Sequence, residues 1–253
     1  MRNWIEHLAP PKQLLLAWQA PDHFNERFRW AVGRLIRRDS TLDLSYLSDG
    51  GQFASLNQGR TFQQLLRLGY RGYPGFRLGA YHESALPSLM RRLPPRNRPD
   101  FKDFKSQFRI PENLRVSDIE LLALTEAKLP GDGFSVVDPL DSDADTLDLF
   151  LEIAGFRYYV KDKPLGGHVG QPVSIVPEPD NVYDPNAIKV CVEERKIGNI
   201  NRLQAPAFGE WLRAQSVSAC IERLNGNTDK PRAFIFVRVR PRINVPLHPR
   251  TMR

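Results

Sequence analysis

The sequence predicts an α+β N-terminal domain followed by a small all-β domain that carries one or two helices. Three observations predict it. The chain has 253 residues, a length that suits two modest hydrophobic cores better than one large one. Helical and strand-like stretches mix as far as residue 138, whereas beyond it strand readings at Phe156–Tyr159, Val173–Val176, Ile188–Val192 and Phe234–Arg240 outnumber the one helix at Leu203–Gln215. Between them, Asp138, Asp141, Asp143, Asp145 and Asp148 put five carboxylates into eleven residues with no sustained apolar period. That composition reads as a solvated linker. The expected organisation is residues 1–138, an acidic linker over 139–148, a β domain over 149–240 and a basic tail over 241–253.

In the first domain, Leu14–Gln19 reads as a strand. Arg27–Arg37 and Thr41–Leu47 alternate apolar and polar residues around Asp39-Ser40, which predicts a hairpin. Thr61 with Gln64 is a capping box opening a short helix that Gly69 ends. Leu86, Leu89, Met90 and Leu93 recur at helical spacing before Pro94-Pro95. Ser117 with Glu120 is a second capping box, for a helix through Ile119, Leu122 and Ala123 that Pro130-Gly131 closes. Phe134–Val137 returns as a strand.

In the second domain, Glu178-Pro-Asp-Asn-Val-Tyr-Asp-Pro-Asn-Ala-Ile188 cannot be helical, because Pro179 and Pro185 each remove a backbone donor and fix φ. Asp and Asn favour local side-chain bonds, so this run reads as a rigid loop between strands Val173–Val176 and Ile188–Val192. The loop presents Tyr183 beside Asp184. Phe156-Arg157-Tyr158-Tyr159 reads as a strand, and Leu203–Gln215 as a helix with Phe208, Trp211 and Leu212 on its apolar side. Phe234–Arg240 reads as a strand with two faces. Ile235, Val237 and Val239 suit a core. Phe234, Phe236, Arg238 and Arg240 combine rings with cations, the composition on which bases stack while guanidinium groups follow phosphates. The alternative is an edge strand with a solvated basic end and Phe236 under a loop.

Net charge is +7 and the isoelectric point is about 9.6, which favours a polyanionic partner. From Leu149 onward there are 16 basic and 10 acidic residues, so the excess belongs to the second domain. No apolar run approaches the roughly 20 residues a membrane span needs, and the first residues make a poor signal peptide. Cys191 and Cys220 have neither zinc spacing nor a disulfide framework, so a reducing cytoplasm is the expected location. Asp141, Asp143 and Asp145 alternate as in a calcium loop but lack its glycine and distal glutamate. Glu178, Asp180 and Asp184 lie on one loop with no partner acid or histidine at a recognisable spacing, and His7, His23, His82, His168 and His248 are scattered. Gly131 and Gly133 do not make a phosphate loop. No enzyme, metal or cofactor is expected.

Four elements in order carry a family resemblance: Gly155-Phe156-Arg157-Tyr158-Tyr159, the EPDNVYDPNAIKV run, Lys196-Ile197-Gly198-Asn199-Ile200, and Ala233-Phe234. Over about Leu151 to Val239 the chain resembles the HIRAN domain. The resemblance implies a small OB-like barrel that binds single-stranded DNA, preferring a 3′ end. By resemblance, Tyr158 stacks a base, Arg157 and Arg202 hold phosphates, Tyr183 and Asp184 surround the free 3′-hydroxyl, and Phe234 caps the bound bases. For Asp184 a second reading stands beside this one, a turn in which the carboxylate bonds its own loop. Asp180 is expected in such a turn role, and Asn181 suits either role. Lys161, Lys163, Lys189, Arg232, Arg238 and Arg240 would widen the field without specificity.

Val32-Gly33-Arg34-Leu35, the helix ending at Pro94, and Asp118–Leu124 running into Gly131–Val137 resemble the N-terminal subdomain of HipA toxin kinases over residues 14–138. No kinase core follows. The expected function is DNA-end binding, with the first domain docking a protein such as a helicase, a nuclease or a HipA-type kinase. The alternative is an antitoxin-like or regulatory partner of such a kinase, without end recognition.

Overall fold

A computed structural model describes residues 2–161, 168–226 and 230–242. Lys163, His248 and most of the basic tail lie outside the described residues. Strands β1 (Leu14–Gln19), β2 (Arg29–Arg38), β3 (Thr41–Tyr46), β4 (Tyr81–His82) and β5 (Phe134–Val137) form an antiparallel sheet in the order β4-β3-β2-β1-β5. Five short helices pack with it: α1 (Gly51–Leu56), α2 (Phe62–Arg67), α3 (Leu86–Met90), α4 (Phe101–Gln107) and α5 (Asp118–Thr125). Both expected capping boxes form, at Thr61–Gln64 and Ser117–Glu120. Helix α5 stops before Pro130-Gly131, because Glu126 and Ala127 turn left-handed at φ 53° and 43°.

The second domain contains β6 (Leu147–Glu152), α6 (Phe156–Val160), β7 (Pro172–Pro177), β8 (Ile188–Val192), β9 (Arg195–Asn199), α7 (Ala205–Ala214), β10 (Gln215–Asn225) and β11 (Arg232–Pro241). The strands run β6-β11-β10-β7-β8-β9. Ala154, just past β6, then bridges to Asn199 of β9, with N–H···O distances of 2.8 and 2.9 Å in the two directions. The six strands thereby close into a small barrel. Closure depends on Gly198. A Cβ there would meet Ile153 Cγ2 at 2.4 Å and the Ala154 carbonyl at 2.6 Å, and its φ is +153°. Inside, Val190, Ile197, Trp211, Ile221, Ile235, Val237 and Val239 are buried.

Three expectations need correction. Phe156–Tyr159 is not a strand. Gly155 at φ 74° turns the chain out of the sheet, and one helical turn follows that buries Phe156 and Val160, four residues apart, and leaves Tyr158 and Tyr159 exposed. The linker is not solvated throughout, since Leu147 and Asp148 already belong to β6. Asp148 is buried, and its Oδ2 accepts from the amides of Glu6 and His7, both at 3.0 Å, while Arg240 Nη2 donates to Oδ1 at 2.6 Å. Burial opposes that carboxylate's charge, but Arg240 and the N-terminal amides more than offset it and lower its pKa.

The third correction concerns β11. Its Ile235, Val237 and Val239 face the barrel core as expected, but the ring-bearing face is not open. Phe234 (7% exposed) and Phe236 (0%) join Phe150 in the core of the first domain. Phe150 and Phe234 stack with centroids 5.1 Å apart and planes at 8°. Burying these rings against the first domain is favourable, and this face is the contact between the domains. Polar bonds frame that contact. Arg109 pairs with Glu222 at 2.5 Å in a buried setting, Lys128 reaches Glu152 at 3.0 Å, and Arg238 donates to Asn3 Oδ1 at 2.7 Å.

Candidate functional site

The loop between β7 and β8 is held from within. Asn181 Oδ1 accepts from the Tyr183 amide at 3.0 Å and the Asp184 amide at 3.1 Å, so Asn181 rather than Asp180 makes the first turn. Asp184 Oδ1 accepts from the Asn186 amide at 2.9 Å, and the Asp184 carbonyl from the Ala187 amide at 3.0 Å. The turn expected of Asp184 is therefore present, yet it uses one carboxylate oxygen. Among the described residues no hydrogen bond reaches the other. Fixed amides leave the tip exposed, with Tyr183 at 86%.

Beneath the loop, Glu178 ties it to the barrel. Its carboxylate accepts from Lys196 Nζ at 2.6 and 2.8 Å, from Asn181 Nδ2 at 2.6 Å and from Asn199 Nδ2 at 3.3 Å. Burial works against its charge, but these donors outweigh burial and hold its pKa below the usual range. Lys196 also lies 4.8 Å from the Tyr159 ring centroid, and Arg195 donates to the Tyr159 carbonyl at 3.2 Å. The same β9 edge thus seats both the loop and α6. On α6, Arg157 Nη2 donates to the Tyr158 hydroxyl at 3.0 Å, with its guanidinium 5.1 Å from that ring. Tyr158 is 56% exposed.

Arg202 has a different position from the one expected. Its Nε and Nη2 donate to the Arg29 carbonyl at 2.8 and 2.6 Å, Nη1 to the Leu56 carbonyl at 2.6 Å, and Nη2 also to Asn57 Oδ1 at 2.9 Å. The guanidinium stacks 4.0 Å from the Phe28 centroid. Burial pushes its pKa down. A side chain so engaged braces the first domain and has little left for a phosphate. Phe234 is corrected likewise: with Phe150 on one side and Arg223 at 4.4 Å, its ring offers no free surface to a base.

Asp184 and Arg202 nevertheless meet. Both line an open cleft of about 450 Å³ between the domains. Its other walls come from the first sheet, α1, the linker and the start of α7, and sequence reasoning missed the residues that the first domain contributes. The only signal for them lies in the alternation of β1 and β2, which gives the face but not what stands opposite it. Among the described residues, no group of three or more His, Cys, Asp or Glu side chains gathers closely enough to hold a metal ion. No helix in the described residues is long and apolar enough to cross a membrane.

A closed barrel with a rigid polar loop and exposed rings along one edge is the architecture of a small binding module. Residues 147–247 match the HIRAN domain family, and the C-terminal domain of this chain is a HIRAN domain. Among solved structures, the chain is similar to the HIRAN domain of human HLTF, at 21% identity over 36% of this chain and 76% of that one, with a TM-score of 0.26. It is also similar to a structural-genomics protein from Lactobacillus plantarum, at 24% identity over 37% and 94% of the two chains, with a TM-score of 0.29. The assignment rests on the family match. A search of curated proteins finds no match.

Proposed function

We propose that the protein binds single-stranded DNA at a 3′ end through its HIRAN domain and catalyses no reaction. The observation that carries this reading is the loop 178–186, which holds Asp184 at the cleft with one oxygen free of hydrogen bonds among the described residues and leaves Tyr183 exposed beside it. An ionised carboxylate only accepts, so it welcomes a terminal hydroxyl and repels a further phosphate. A strand that continued past this point would bring a phosphate against Asp184. Tyr183 and Tyr158 supply ring faces for bases, and Arg157 supplies a cation on α6, whose Tyr159 shares Lys196 with the base of the loop. Arg202 serves by holding the cleft open at its base. In this reading the outer surface of the first domain, away from β11, docks a protein partner.

The test compares fluorescent oligonucleotides bearing a free, a phosphorylated or a blocked 3′ end. The free end should bind tightest, and Asp184→Ala should erase the preference while leaving the barrel folded. Tyr158→Ala and Tyr183→Ala should each weaken binding by about 1–3 kcal/mol. Equal affinity for all three ends, with strong salt dependence, would reduce the interaction to charge alone.

A further inference from the structure

The cleft beside Asp184 belongs only half to the HIRAN domain. Its floor is the face of the first sheet on which Leu15 of β1 and Arg34 of β2 stand opposite each other in register. Across from them are Asp184 and the start of α7 at Pro206, while Ser55 of α1 lines one side. Arg34 is the cation here with donors to spare. Among the described residues no carboxylate pairs with it, and its buried Nε has no partner. Its two terminal nitrogens reach only the Gln52 amide, at 3.2 and 2.9 Å when that amide turns its oxygen toward them. Two acids line the same cleft: Glu210, which Arg213 engages, and Asp184 of the loop. A guanidinium with no carboxylate in direct contact keeps its donors available to an incoming anion. The volume of about 450 Å³ lies within the range of about 300–1,000 Å³ that small ligands occupy.

We infer that the inter-domain cleft receives the terminal nucleotide of the DNA strand, and that Arg34 of the first domain binds the phosphate on its 5′ side. This rests on the 3′-end reading above and deepens it. Asp184 takes the hydroxyl, Arg34 the last phosphate, and Pro206, exposed at the start of α7, offers apolar surface to the sugar or base. The first domain is then part of the end-binding site. An excised barrel would retain Tyr158 and Tyr183 but lack the phosphate contact.

The experiment uses the full chain and a short oligothymidylate with a free or phosphorylated 3′ end. Arg34→Gln should weaken binding to the free end about tenfold or more, as expected for loss of a charged hydrogen bond, and reduce the salt slope by about one. Ser55→Trp, at an exposed position, should fill the cleft and abolish the preference between the two ends without altering the melting temperature. If wild-type protein prefers the free end and both variants bind as it does, the composite site is wrong and the end-binding reading stands. Should wild-type protein be blind to the end, that reading fails and the inference fails with it. If Arg34→Gln unfolds the domain, Ser55→Trp decides alone.

Discussion

Replacing Arg202 with lysine and with alanine separates a bracket between domains from a phosphate ligand. The guanidinium satisfies three acceptors on the first domain, the carbonyls of Arg29 and Leu56 and the Asn57 side chain. Each such bond is worth about 1 kcal/mol net, more where one partner is charged. Stacking on Phe28 at 4.0 Å adds roughly 1 kcal/mol. Water entering from the open cleft can re-solvate part of what is lost, so Arg202→Ala should cost about 3 kcal/mol. Lysine keeps the charge but can reach only one of the acceptors, so Arg202→Lys should still cost about 2 kcal/mol. Urea unfolding followed by tryptophan fluorescence reads both, since Trp30 is buried in the first domain and Trp211 in the barrel. A phosphate ligand behaves in the opposite way: lysine would preserve stability and most of the DNA affinity. An Arg202→Lys variant within about 0.5 kcal/mol of wild type would refute the bracket.

Two further outcomes follow from the same interface. Phe234→Ala removes a ring stacked on Phe150 and should destabilise the chain by about 3–5 kcal/mol, while molecules that remain folded bind DNA with unchanged affinity; calorimetry alongside a binding titration checks this. Glu152 is desolvated, yet Lys128 and Arg232 outweigh burial and lower its pKa to about 2. A carboxyl whose folded pKa lies below its unfolded value stabilises fully above the unfolded value, near 4.5, and loses that contribution as pH falls toward the folded one. Stability should therefore decline below about pH 4.5, and Glu152→Gln should flatten that limb in melts run from pH 7 to pH 3.

Much of the fold was legible from residue order alone. The strands at Leu14–Gln19, Phe134–Val137 and Ile188–Val192 and both capping boxes formed where local chemistry put them. Local chemistry also reached the loop at 178–186, because prolines and short amides act within a few residues. It failed at α6, where Gly155 decides the conformation and Phe156 with Val160 fits a helical turn as well as a strand. It failed more instructively at Phe234. Alternation correctly separates the two faces of β11, but the same pattern describes a face meant for bases and a face meant for another domain. Only the position of the first sheet distinguishes them. Arg202 met the same limit, since a basic residue after a β turn looks alike whether its fork meets phosphate or carbonyl oxygens.

The wall formed by Phe150, Phe234 and Phe236 has a consequence for how such a module travels between proteins. A fragment begun near residue 147 would carry three rings onto its surface with nothing to shelter them, and would tend to self-associate. Transplanting this barrel would demand either its companion or a repainted flank. The two halves are thus bound to change in step, each substitution on one side answered across the seam.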